Sequence, residues 1–149
     1  MKLINQYSNL MDFSYKNIDT AHNHIENLVT RTPLISNDYI NKKLNSKIFF
    51  KLENLQTTGS FKYRGASYKI SKLNDENKKN GVVAYSSRNH AQAVAYASLK
   101  QNISCKIIMP KNAPKIKIEN TRNIKPKLFF MIQKQIQRKY RRENFYRRK

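Results

Sequence analysis

Residues 51–66 read Lys51-Leu-Glu-Asn-Leu-Gln-Thr-Thr-Gly-Ser-Phe-Lys-Tyr-Arg-Gly-Ala66. They overlap the end of an apolar run, Ile48–Leu52, which predicts a strand, and they lead into a helical pattern that continues to about Leu73. The turn between the two falls at Thr58-Gly59-Ser60, because glycine tolerates tight backbone geometry and a serine can cap the helix that follows. Lys62 then lies in the first turn of the predicted helix.

The position of Lys62 has a chemical consequence. The N-terminus of a helix carries a partial positive charge, which disfavours a cation there. Repulsion of this kind, together with partial burial, favours the neutral amine that imine chemistry requires. A lysine that simply points into water explains the same placement, so the lysine alone does not establish catalysis.

The rest of the chain alternates between strand and helix patterns. Gly81 precedes a strand at Val82–Tyr85, a helix is predicted over Asn89–Lys100, and a second strand follows at Lys106–Met109. The segment from Pro110 to Pro114 then opens another helix, with proline near its first turn. This order is typical of a parallel α/β fold.

The first part of the chain has weaker patterns. Apolar residues at spacings of three or four predict an amphipathic helix from about Asn17 to Thr30. Ser36 can cap a short helix that runs to Leu44. The polar stretch Asn74–Asn80 predicts a loop or a frayed turn.

The stretch around Lys62 closely resembles the lysine motif of fold-type-II pyridoxal-phosphate (PLP) enzymes, in the family of threonine dehydratase and serine racemase. The resemblance covers about Asn17 to Asn123, and members of this family are considerably longer. It therefore implies an α/β fragment, a partial fold-type-II enzyme with an open parallel sheet and flanking helices. Four further segments carry the match: Lys69–Leu73, Gly81–Ser87, Asn89–Ala97 and Lys106–Lys117.

The resemblance also implies a division of the chain. Residues 1–66 correspond to the N-terminal part of an incomplete large domain, and residues 67–123 to most of the small α/β domain. Residues 124–149 do not match the family. They are rich in Ile, Lys, Gln and Arg, and we interpret them as the product of a translational frameshift, which the DNA after codon 123 would test. Within them, residues 127–132 have the pattern of a strand.

In this family the lysine that matches Lys62 holds PLP as a Schiff base and can then remove the α-proton of the substrate. Asn89 matches the asparagine that donates to or accepts from the ring hydroxyl. Phe61 resembles a residue that packs near the cofactor ring, although simple core packing explains it equally well.

Ser86-Ser87-Arg88-Asn89-His90 resembles the loop that receives the substrate. Ser86 and the loop amides would bind its carboxylate, and Ser87 matches the acid/base residue of racemases. For an isolated Ser-Ser-x-Asn, helix capping is the better interpretation. His90 fits a packing residue at the helix start better than a catalytic base. Arg88 replaces a glycine, and its long cationic side chain is expected to block the site rather than to grip a carboxylate.

The implied activity is that of a threonine or serine ammonia-lyase, which eliminates the β-hydroxyl group and yields a 2-oxo acid and ammonia. A serine racemase is the alternative, favoured by Ser87. The family binds the phosphate of PLP in a glycine-rich loop, whereas this chain has three glycines, Gly59, Gly65 and Gly81, all used by earlier turns or the motif helix. We therefore expect weak cofactor binding and an inactive chain. The partner is a small amino-acid substrate, and intact family members are expected to be homo-oligomers.

Charge and composition add further expectations. The net charge is +21, and residues 124–149 hold ten Lys and Arg residues against the single acid Glu143. Such a field attracts nucleic acid non-specifically, and the tail mixes cations with Tyr140, Phe145 and Tyr146, so a nucleic-acid-binding protein is a remote alternative. With no membrane-spanning stretch, no secretion signal and one cysteine, Cys105, in an apolar strand, we expect a cytoplasmic protein with a buried thiol.

Overall fold

The computed structural model describes residues 14–131 of the chain, which form six α-helices, five strands and one short 3-10 turn at Glu53–Leu55. The helices are α1 (Tyr15–Ile25), α2 (Asp38–Leu44), α3 (Lys62–Ser71), α4 (Asp75–Asn80), α5 (Asn89–Lys100) and α6 (Lys115–Asn123). The strands are β1 (Leu34–Ser36), β2 (Phe49–Lys51), β3 (Val82–Tyr85), β4 (Cys105–Pro110) and β5 (Lys127–Met131).

The larger sheet confirms the predicted parallel α/β architecture. Its order is β3-β4-β5, both pairings are parallel, and Ala84 lies opposite Ile107, which lies opposite Leu128. Helix α5 connects β3 to β4, and α6 connects β4 to β5, as parallel neighbours require. Both strand-to-helix junctions therefore lie at the carboxyl ends of the strands, which is where such sheets usually bind ligands.

The core lies between this sheet and helices α3 and α5. Helix α5 buries four alanines, whose small side chains let the helix approach both α3 and the sheet. Helix α3 contributes Tyr63, whose ring meets that of Tyr96 edge-on at a centroid distance of 5.6 Å. On β4, Ile107 and Met109 are fully buried, and Cys105 is buried as predicted. Burial raises the pKa of the Cys105 thiol.

A small antiparallel pair precedes this core. Strands β1 and β2 pair with Leu34 opposite Lys51, and α2 connects them. The β2 strand was predicted, but β1 was not, because a run of three exposed residues carries no periodic signal.

Three local predictions are wrong in detail. Helix α1 ends at Ile25 rather than near Thr30, because the buried side chain of Gln56 accepts from the amide of Thr30 and donates to its carbonyl oxygen. The cap of α2 is Asn37, which accepts from the amide of Ile40, and not Ser36. Residues 75–80 form the helix α4 instead of a loop, since Asn74 caps them through the amide of Asn77.

Two domain boundaries drawn from the sequence fall within a continuous structure. The boundary at residue 66 lies inside α3, and the boundary at residue 123 lies at the end of α6. Beyond it, β5 confirms the strand pattern and extends the parallel sheet, with Phe129 opposite Ile108. The frameshift remains a hypothesis, and residues 132–149 lie outside the described part of the chain. Within residues 14–131, no helix is long and apolar enough to cross a membrane.

Candidate functional site

The turn before Lys62 forms as the sequence predicts, except for the cap. Gly59 has a φ of 68°, a left-handed conformation that favours glycine. Ser60 does not cap α3 through its hydroxyl, because its carbonyl oxygen accepts from the amide of Tyr63 instead. The hydroxyl of Ser60 is buried and has no hydrogen-bond partner in the described structure.

Arg64 anchors this turn to the preceding part of the chain. Its guanidinium donates two hydrogen bonds to the carboxylate of Glu53, at 3.0 and 2.7 Å, and one to the carbonyl oxygen of Thr30. The hydroxyl of Thr32 donates to the same carboxylate at 2.6 Å. Arg64, two residues after Lys62, therefore fixes the first turn of α3 to the segment that precedes it.

A cleft of about 490 Å³ separates α3 from β3 and the start of α5. Lys62, Phe61 and His90 line it together with apolar side chains such as Ile70 and Val83. The structure thus places the two predicted segments, around Lys62 and around His90, on one cleft. Most of the remaining wall is apolar, as is usual for small-molecule sites.

The side chains at the mouth of the cleft are more open than we expected. Lys62 is exposed rather than partly buried, and its ammonium lies 4.8 Å from the centroid of the Phe61 ring. Phe61 is 59% exposed, so its interpretation as a core residue is wrong. Desolvation, and then the nearby Lys62 ammonium, lower the pKa of His90 below its usual value.

The Ser86–His90 loop lies between the end of β3 and the start of α5. The Ser86 amide donates to the Ile108 carbonyl oxygen, which prolongs the β3-β4 ladder by one residue. The Ser86 hydroxyl accepts from the amide of Arg88 at 3.1 Å. No side chain caps α5, so helix capping does not explain this sequence. Of the loop residues, His90 lines the cleft, and residues 86–89 lie at the turn beside it.

Arg88 adopts a backbone conformation with φ −140°. This φ lies outside the left-handed region, so the position does not require glycine. The side chain is exposed. Arg88 therefore adds charge and bulk at this turn without straining its backbone.

Asn89, the first residue of α5, contacts the neighbouring helix. Its Oδ1 accepts a hydrogen bond from the Nζ of Lys117, in the first turn of α6, at 2.7 Å. The two α/β junctions are thereby joined at the carboxyl ends of β3 and β4.

The donor set fits one end of PLP better than the other. An exposed amine, an asparagine amide and two buried, unpartnered hydroxyl groups, those of Thr58 and Ser60, suit the polar aldehyde and ring-hydroxyl end. No glycine-rich turn occurs in the described structure that could hold the phosphate through free amides. Lys62 would therefore hold PLP at its reactive end, with Asn89 at the turn beside the cleft.

Sequence reasoning missed two residues of this site. Arg64 lies inside the quoted motif, and its position four residues after Ser60 could have suggested an anchoring role. Lys117 gave a weaker signal, a second lysine in the first turn of a helix, where the dipole disfavours a cation.

Comparison with known proteins identifies the family and supports the fold. The family model described as "pyridoxal-phosphate dependent enzyme" matches residues 25–139, which extends past Asn123. The chain is 42% identical over 108 residues to L-threo-3-hydroxyaspartate ammonia-lyase of Saccharomyces cerevisiae, covering 72% of this chain and 33% of that protein. It is 45% identical over 109 residues to a biosynthetic L-threonine dehydratase of Lactococcus lactis, covering 73% and 26%.

Among solved structures, maize serine racemase superposes with a TM-score of 0.76 and 40% identity, over 78% of this chain and 36% of that one. The chain thus spans about a third of the length of the proteins that it matches. Because the family model covers more than three quarters of its residues, the chain belongs to the family of pyridoxal-phosphate-dependent enzymes.

Proposed function

We propose that this chain is the N-terminal part of a PLP-dependent ammonia-lyase that acts on a β-hydroxy amino acid such as L-threonine or L-serine. The products of the complete enzyme would be a 2-oxo acid and ammonia. Its named relatives act on threonine, serine or 3-hydroxyaspartate, and all three carry a hydroxyl group on Cβ. PLP, when bound, withdraws electrons from the α-carbon, and the protein supplies the orientation.

One observation carries this proposal. Lys62 and His90, which are 28 residues apart in the sequence, line the same cleft beside β3. Lys62 would provide the amine that holds the cofactor and moves the α-proton. The hydroxyl group of Ser86 and the amide of Ser87 would bind the substrate carboxylate, since free amides at a helix start attract anions.

The experiment is to trap the cofactor on the whole chain. The purified protein is incubated with PLP, reduced with borohydride and digested, and the modified peptides are identified by mass spectrometry. We expect the adduct on Lys62, and a loss of that adduct when L-threonine or L-serine is added before reduction, because a substrate amine competes for the aldehyde.

Lys69 offers a matched control, since it lines the same cleft on the same helix. Lys62→Ala should abolish the PLP adduct that is sensitive to added substrate, whereas Lys69→Ala should leave that adduct intact. Labelling spread evenly over many lysines, or equal labelling at Lys69 and Lys62, would count against a PLP site in this cleft.

Serine racemase is the second candidate function, favoured by Ser87. Its side chain is half-buried at the turn beside the cleft, where a hydroxyl group could serve as an acid/base. A chimera in which residues 25–123 replace the matching segment of maize serine racemase distinguishes the two functions. If the chimera eliminates without racemising, the lyase is supported. If it racemises, Ser87→Ala in the chimera should abolish racemisation and retain elimination.

The remaining expectations belong to this proposal as well. We propose a cytoplasmic location and homo-oligomeric assembly of the complete enzyme. The nucleic-acid alternative depends on Tyr140, Phe145 and Tyr146, which lie outside the described residues. It predicts salt-dependent binding to single-stranded DNA that disappears when residues 124–149 are deleted.

A further inference from the structure

We infer that Lys117 is a positioning residue for the cofactor, which acts by fixing the side-chain amide of Asn89. This inference rests on the proposed function. It takes Asn89 as the partner of the ring oxygen of PLP, as the resemblance to the family implies. Its basis is the contact of 2.7 Å between the Nζ of Lys117 and the Oδ1 of Asn89.

The chemistry of the two groups fixes the orientation of the amide. A lysine ammonium donates hydrogen bonds and has no lone pair to accept one. The amide atom of Asn89 that faces Lys117 must therefore be the oxygen, and the Nδ2 group points away from Lys117. Asn89 is thereby held as a donor, which is the role that an ionised ring oxygen requires.

The position of Lys117 in its helix supports a functional role for its contact with Asn89. Lys117 lies in the first turn of α6, where the helix dipole disfavours a cation. Its backbone is held independently, because its amide donates to the carbonyl oxygen of Pro114 and its carbonyl oxygen accepts from the Thr121 hydroxyl. The ammonium is thus directed from a rigid helix to the start of α5.

The positive charge also has an electrostatic consequence. A cation bound to the amide oxygen polarises the amide and strengthens its N–H donor. It therefore favours the ionised form of an oxygen bound at Nδ2. Removal of Lys117 should weaken PLP binding and shift the pH midpoint of the absorbance of bound PLP upward.

The test is a double-mutant cycle on the whole chain. We expect Lys117→Met to raise the Kd for PLP about threefold to tenfold, which is the effect of losing one ordinary hydrogen bond. Asn89→Ala should cause a similar loss, and adding Lys117→Met to Asn89→Ala should cost nothing more, because Lys117 acts through Asn89. Lys115→Met, at an exposed lysine on the same helix, is the matched control.

A second readout needs no cofactor. The side-chain amide resonances of Asn89 in the ¹⁵N-labelled chain should move in Lys117→Met and stay in place in Lys115→Met. Lys117→Arg, which keeps a donor, should retain most of the affinity for PLP and guards against a variant that fails to fold.

The outcomes separate this inference from the proposed function. A chain that binds PLP through Lys62 with the same Kd in Lys117→Met overturns the inference alone, as do additive losses in the cycle. A chain that shows no Lys62-dependent binding overturns both.

Discussion

The carboxylate of Glu53 accepts hydrogen bonds from Arg64 and Thr32. The hydrogen bonds from Arg64, in the first place, lower the pKa of Glu53 below its ordinary value of 4.5, against the opposing effect of burial. The two side chains are 16% and 24% exposed, so water screens them only in part. The pair fixes the first turn of α3, and therefore the position from which the Lys62 side chain reaches the cleft.

This pair predicts how the chain responds to acid. Because the folded-state pKa of Glu53 is depressed, its stabilisation is complete above about pH 4.5 and is lost as the pH falls through the lower folded-state pKa. We expect Glu53→Gln to reduce the free energy of unfolding at neutral pH by about 1–3 kcal/mol. The same variant should show a shallower loss of Tm between about pH 5 and pH 3.

Glu119→Gln, at an exposed position on α6, is the control for the general effect of removing a carboxylate. The measurement is the Tm of the unmodified chain and of both variants, from thermal unfolding followed by circular dichroism between about pH 5 and pH 3. An acid slope in Glu53→Gln equal to that of the unmodified chain would contradict the assignment.

At the scale of elements, two glycines differ in what they allow. Gly81, between α4 and β3, has a φ of 78°, and a Cβ there would lie 2.6 Å from the carbonyl oxygen of Ser104. Gly65, in the interior of α3, has no heavy atom within 4 Å of such a Cβ. The first glycine is required by the start of the sheet, and the second leaves space beside the cleft.

We expect Gly81→Ala to destabilise the chain by about 1–3 kcal/mol from backbone strain alone, with the contact to Ser104 adding to it. Gly65→Ala should instead stabilise it by about 0.5–1 kcal/mol, since alanine loses less entropy in a helix. Urea unfolding of both variants beside the unmodified chain measures the difference. Equal effects of the two substitutions would refute this account.

The elements that sequence reasoning predicted well are those with a periodic apolar pattern. β3, α5 and β4 were found within one residue of their bounds because burial on the sheet face dictates their residues. Helix α4 was missed, since six polar residues have no apolar periodicity and their helix depends on the cap by Asn74. The segments around Lys62 and His90, which the structure places on one cleft, were singled out by their resemblance to a known family and not by an apolar period. The contact of Lys117 with Asn89 depends on the packing of α6 beside α5, which no local pattern specifies.

At the scale of the molecule, the parallel sheet is covered unevenly. Ala84, Ile107 and Met109 face the helices and are buried. On the alternate positions Tyr85 lies opposite Ile108, which lies opposite Phe129, and the two aromatic side chains are 43% and 48% exposed. Parallel sheets are usually covered on both faces. Exposed apolar surface of this kind promotes association.

Val83, on the same face of β3, is 65% exposed and lines the cleft. We therefore expect the chain to self-associate with rising concentration, most strongly at about 0.15 M salt or above, where the repulsion from its charge of +21 is screened over about 8 Å. Val83→Lys should reduce the weight-average sedimentation coefficient in sedimentation velocity, because it places a charge on this face.

Leu99→Lys is the matched control, because Leu99 is 52% exposed on α5 and does not line the cleft. It introduces the same charge and should leave the association unchanged. If Leu99→Lys disperses the chain as well as Val83→Lys does, net charge rather than the open sheet face governs association. A Tm of Val83→Lys close to that of the unmodified chain would show that its effect is on contacts between molecules and not on folding.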